Sequence, residues 1–92
     1  MKYVPKKGMV LISEEDNSLV LKLEESEAAG HLWLCRMYSS LIPESRSMYF
    51  ICQVRITKDE LDRRFREALE PWWYQLEMAD VAYESQFQDQ II

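Results

Sequence analysis

Very little punctuates this 92-residue chain, which holds two glycines, three prolines, two cysteines and one histidine. Gly8 and Gly30 stand far apart, whereas phosphate-cradling loops need closely spaced glycines, so a P-loop or Rossmann fingerprint is excluded. Scarce glycine and proline also exclude collagenous and low-complexity chains. Two cysteines are too few for a disulfide scaffold. No apolar run approaches the ~20 residues of a membrane helix. Nor is there the ~7–15-residue apolar core of a secretory signal, because Met9, Val10, Leu11 and Ile12 give way at once to Ser13 and acids. These absences lead us to expect a reducing, cytoplasmic location and no membrane association.

Chemistry-bearing residues are equally sparse. His31 offers the one side chain that titrates near neutrality, and no Gly-x-Ser-x-Gly, His-Glu-x-x-His or Cys-x-x-Cys motif accompanies it. His31, Cys35 and Cys52 are zinc-ligand types. Four strand residues, however, would hold His31 about 13 Å from Cys35, too far for bonds of about 2.0–2.3 Å to one ion. The carboxylate pairs Glu14/Glu15, Glu24/Glu25 and Asp59/Glu60 fall at turns or a helix start, where solvated acids belong. No catalytic residue, metal or cofactor is expected.

Positive charge is the scarcer sign: 11 basic against 16 acidic residues leave a net charge of -5. Bulk attraction to nucleic-acid phosphates is therefore disfavoured. Arg55, Lys58, Arg63, Arg64 and Arg66 form a basic cluster, interleaved with Asp59, Glu60, Asp62 and Glu67. Beyond Arg66 there is no Lys or Arg, while Glu67, Glu70, Glu77, Asp80, Glu84 and Asp89 accumulate. An acidic helix can imitate a phosphate row and occupy a DNA-binding cleft, although six acids over this span are thin for that role.

What the chain does have is apolar residues at 48%, with aromatics at 12%, enough for one modest core. The reading is a single domain over residues 1–92: an extended basic arm (1–7), an antiparallel sheet (8–56) and a helical segment (57–90). Short apolar runs around Glu15-Asp16-Asn17-Ser18 predict a first hairpin, with Ile12 opposite Leu21 and Val10 opposite Leu23. Residues 25–30 read as a polar connection ending at Gly30.

A second hairpin is signalled by Met48, Phe50, Cys52, Val54 and Ile56 alternating with outward-reading residues, and by Trp33, Cys35 and Met37 at the same period. The expected register pairs Trp33 with Val54, Cys35 with Cys52 and Met37 with Phe50, joined by a loop over residues 40–47. Both thiols are then buried, reduced and adjacent.

Thr57-Lys-Asp-Glu60 is a capping box. From it a stripe of Leu61, Phe65, Ala68, Leu69, Trp72, Leu76, Ala79, Tyr83 and Phe87 keeps helical phase across Pro71. The fold class is therefore α+β: four antiparallel strands in two hairpins, one face covered by a long C-terminal helix kinked or broken at Pro71, in segments 58–70 and 71–89. Tyr74, Met78 and Val81 lie on a second apolar face, with Trp73 beside the core edge. A helix apolar on two sides needs two things to pack against.

The functional expectation is a small acidic, non-catalytic protein-interaction module of inhibitor, immunity or adaptor type. Its partner, another protein or a second copy, meets Trp73, Tyr74, Met78 and Val81. The alternative is a dimeric nucleic-acid-binding regulator using Arg55, Lys58, Arg63, Arg64 and Arg66.

Overall fold

The computed structural model describes residues 3–40, 47–69 and 71–88. The chain runs β1 (Val10–Ser13), β2 (Leu19–Glu27), a 3-10 turn (Ala28–Gly30), β3 (Leu32–Ser39), β4 (Tyr49–Thr57), α1 (Lys58–Arg64), β5 (Phe65–Glu67) and α2 (Trp73–Gln88). It is an α+β fold with a five-stranded sheet in the order β4-β3-β2-β1-β5. All pairings between neighbouring strands are antiparallel.

The fifth strand is the main departure from expectation. Thr57 caps α1, its hydroxyl accepting from the Glu60 amide at 3.2 Å, while the Glu60 carboxylate accepts from Arg64 at 2.8 Å. The helix expected over 58–70 nevertheless ends at Arg64. Phe65, Arg66 and Glu67 then turn extended and pair with Ser13, Ile12 and Leu11. Arg and Glu favour helix intrinsically, so tertiary pairing with the open side of β1 overrides propensity here.

This break divides the expected stripe between the two faces of the sheet. Leu61 and Phe65 join Tyr3, Leu11, Leu21, Leu23, Trp33, Cys35 and Ile56 in one core. Trp72, Leu76 and Ala79 join Ile12, Val20, Tyr38 and Met48 in another, with Ala68 packed against it. Leu69 is 88% exposed and belongs to neither. The sheet is thus covered on both sides, by α1 and by α2, rather than on one. Pro71 stands ahead of α2, and no helix passes through residues 65–67. The expected loop positions 41–46, Glu70, the end of the helical segment at 89–90 and the side chain of Phe87 lie outside the described residues.

Both hairpin registers slip from expectation. Leu11, not Ile12, faces Leu21, and Val10 faces Lys22. Leu11, Leu21 and Leu23 therefore share the α1 face while Ile12 and Val20 share the α2 face. In the second hairpin Trp33 faces Ile56, Cys35 faces Val54 and Met37 faces Cys52. A register shift after Met37 then sets Tyr38 against Phe50, and Phe50 packs with the α2 core. A bulge of this kind inserts an unpaired residue and re-aims its neighbours. The cysteines are both free but not directly opposed. Cys35 is buried and Cys52 only half-buried.

The basic arm is anchored. Tyr3 is buried, and its hydroxyl donates to the carbonyls of Leu61 at 2.7 Å and Phe65 at 3.3 Å, where α1 gives way to β5. Burial first, then the charges of Asp62 and Glu14, pushes its pKa up to about 12. At the 3-10 turn, Ala28 and Ala29 adopt left-handed φ of 52° and 56° ahead of Gly30 at 90°. The polar connection is therefore shorter than expected, with β2 running on to Glu27.

Candidate functional site

Helix α2 is amphipathic in an unusual sense. Trp72, just ahead of it, and Leu76 and Ala79 turn inward and are at most 9% exposed. The opposite side carries Tyr74, Met78 and Val81, 57%, 51% and 55% exposed, flanked by Trp73 at 65%. The helical period of α2 is responsible: residues 74, 78 and 81 lie about half a turn from 76 and 79 at about 100° per residue. Trp73 and Tyr74 stack edge to face, ring centroids 5.9 Å apart, and so hold each other.

The apolar surface does not stop at the helix. Between α2 and the start of β4 lies an open cleft of about 510 Å³ lined by Ser47, Met48, Tyr49, Tyr74, Gln75, Met78 and Ala79. Tyr49 is itself 54% exposed. The Oε1 atom of Gln75, a residue of the cleft wall, is buried with no hydrogen-bond partner among the described residues. Tyr49 and Gln75 were not legible as site residues, since only the tertiary fold brings β4 beside α2.

A polar latch fixes the helix to the sheet. The Asp80 carboxylate accepts from the Tyr38 hydroxyl at 2.9 Å and from Arg36 Nη2 at 2.9 Å. Arg36 lies over the Phe50 ring, 3.9 Å from its centroid, and Phe50 meets Tyr83 edge to face at 4.6 Å. Burial pushes the Tyr38 pKa up to about 12, reinforced by Asp80 and opposed by Arg36. Burial alone would lower that of Arg36, but its hydrogen bonds to Tyr38 and Asp80 prevail and raise it. The sequence hid this cluster, whose members lie on three elements.

The residues of the alternative reading are dispersed. Arg55 sits on β4 and Arg66 on β5, at opposite edges of the sheet. Four strand spacings of about 4.8 Å separate those edges. Arg55 pairs with Glu27 at 3.1 Å, and Arg64 with Glu60 at 2.8 Å and Glu15 at 3.9 Å. Lys58, Arg63 and Arg64 lie on α1 among Asp59, Glu60 and Asp62.

His31 is exposed on the turn before β3. Burial, helped by Glu24, pushes the Cys35 thiol up to about 11, the reverse of an activated nucleophile. Among the described residues no group of three or more His, Cys, Asp or Glu is placed to hold a metal. No helix among them is long and apolar enough to cross a membrane. Set against known proteins, the chain matches no family model, no curated protein and no solved structure.

Proposed function

We propose that the chain is a non-catalytic protein-binding module that acts by stoichiometric association through the outer face of α2. One observation carries the reading: Trp73, Tyr74, Met78 and Val81 are all more than half exposed along a helix whose other side is already packed. Trp, Tyr and Met are the types enriched in interface cores. Their continuity with the cleft beside Tyr49 gives a ridge next to a groove rather than scattered surface apolars.

The chemistry of the partner follows from the rim. Glu77 and Glu84 are exposed on α2, and no Lys or Arg follows Arg66. A matching surface is therefore apolar at its centre and basic at its edge, since complementary potentials speed encounter and like charges penalise wrong partners. An inhibitor, immunity or adaptor role would each use such a surface.

The test compares two variants, Tyr74→Gln/Met78→Gln/Val81→Gln and Arg63→Gln/Arg64→Gln/Arg66→Gln. A protein captured from host lysate is identified and reconstituted with the pure chain. We expect a 1:1 complex lost by the first variant, still folded, and kept by the second. Loss only in the Arg variant, or recovery of nucleic acid in place of protein, would refute the proposal.

A further inference from the structure

We infer that the β4 edge is a self-pairing surface, along which two copies of the chain join into one ten-stranded sheet about a two-fold axis at Val54. This surface is separate from the outer face of α2 and does not rest on the reading above.

The two edges of the sheet differ sharply. β5 is three residues long, a common way of blunting an edge, whereas β4 runs for nine. β4 contains no proline and no lysine, and its one charge, Arg55, is engaged by Glu27 at 3.1 Å. The direction of its free backbone groups follows from the ladder. The Lys58 amide donates to the His31 carbonyl at 2.9 Å, and bonded and non-bonded pairs alternate in antiparallel strands. With Thr57 opposite Leu32 and Ile56 opposite Trp33, residues 52, 54 and 56 turn their backbone groups to β3. Gln53, Arg55 and Thr57 turn theirs outward.

Only strands aligned on those outward residues can pair, and the side chains choose among the alignments. Centring the axis on Arg55 stacks two guanidinium groups, a destabilising like-charge pair. Centring it on Gln53 calls on Ile51, at the irregularity where Met37 and Tyr38 change register. Centring it on Val54 pairs Gln53 with the second copy's Arg55, and Cys52 with the second copy's Ile56. Val54 then meets its own counterpart. On the α1 face this aligns an apolar row, Cys52 and Val54 being half-buried and Ile56 buried in each copy. On the other face a neutral amide meets each cation. The edge is therefore complementary to itself, which makes a second copy its occupant.

Sedimentation over a concentration series reads the result. We expect reversible formation of a species of twice the 11.0 kDa chain mass. Gln53→Pro removes an outward N–H that β3 does not use, and should lower the association constant roughly 10–100-fold with unchanged near-ultraviolet circular dichroism. Val54→Cys in a Cys52→Ser background avoids any folding question. Facing residues of a non-bonded pair approach within disulfide reach, so mild oxidation should give a covalent dimer, whereas the parent chain through Cys52 should not. A monomer at all concentrations, a dimer indifferent to Gln53→Pro, or a dimer dispersed by the Tyr74/Met78/Val81 variant would each overturn the inference.

Discussion

Asp80→Ala should be among the most damaging changes of a half-exposed residue in this protein. The carboxylate accepts from the Tyr38 hydroxyl at 2.9 and 3.2 Å and from Arg36 at 2.9 and 3.2 Å. Tyr38 is 0% exposed, so its hydroxyl loses its acceptor in a part-buried setting, a cost of about 1–3 kcal/mol. The ion pair adds less, about 1 kcal/mol, because Arg36 and Asp80 remain 21% and 26% exposed and solvent screens them. The sum, about 2–4 kcal/mol, corresponds to a fall in melting temperature of at least ~8 °C for a domain of this size. Asp80→Asn keeps an acceptor for Tyr38 and should cost only about 1 kcal/mol.

Urea denaturation of both variants, of Tyr38→Phe and of the double variant measures these terms and their coupling. The reasoning fails if Asp80→Ala lies within ~0.5 kcal/mol of the parent, or if Asn is as harmful as Ala. An alkaline titration gives a second check. The Tyr38 pKa rises in the folded state from an ordinary 10.0 to about 12. Its contribution is therefore complete below pH ~10 and is lost as pH climbs toward 12, where only the unfolded chain releases the proton. Tyr3 behaves alike, so Tyr38→Phe should lessen the alkaline decline without abolishing it.

Two further outcomes follow from the packing. Thr57→Ala should cost about 1 kcal/mol through loss of the α1 cap, and Phe65→Ala about 3–5 kcal/mol, since the ring is 6% exposed beneath α1; equal denaturation midpoints would contradict this. Iodoacetamide at neutral pH should alkylate half-buried Cys52 well before Cys35, whose thiol is buried and held up to about 11; equal rates, read by mass spectrometry, would show that the core around Cys35 opens.

The features legible in the sequence were those encoded locally. Thr57-Lys-Asp-Glu60 marks the α1 cap because hydroxyl and amide lie three residues apart, and the inner and outer faces of α2 follow from its 3.6-residue period. Register was not local. Val10-Leu-Ile12 and Leu19-Val-Leu21 are apolar at every position, as strands covered on both faces are, so alternation supplied no phase and the pairing slipped by one residue. The fifth strand was hidden for a related reason: Leu61, Phe65 and Ala68 happen to keep helical spacing, while the partner that makes Phe65–Glu67 extended is some fifty residues upstream. Likewise Tyr49 joined the α2 surface only through the fold.

The division of the interior by a single sheet has a dynamic consequence. Among the described residues, the core beneath α2 shares no side chain with the core beneath α1. Lifting α2 would expose Ile12, Val20, Tyr38 and Met48, yet leave Leu11, Leu21, Leu23 and Leu61 covered. Two opening free energies are therefore expected rather than one, a lower one for detaching the helix and a higher one for melting the strands. Hydrogen exchange would follow the lower one at the α2 amides and the higher one in β2 and β3. A protein gripping the outer face of α2 would thus be holding the part of the chain that comes away first.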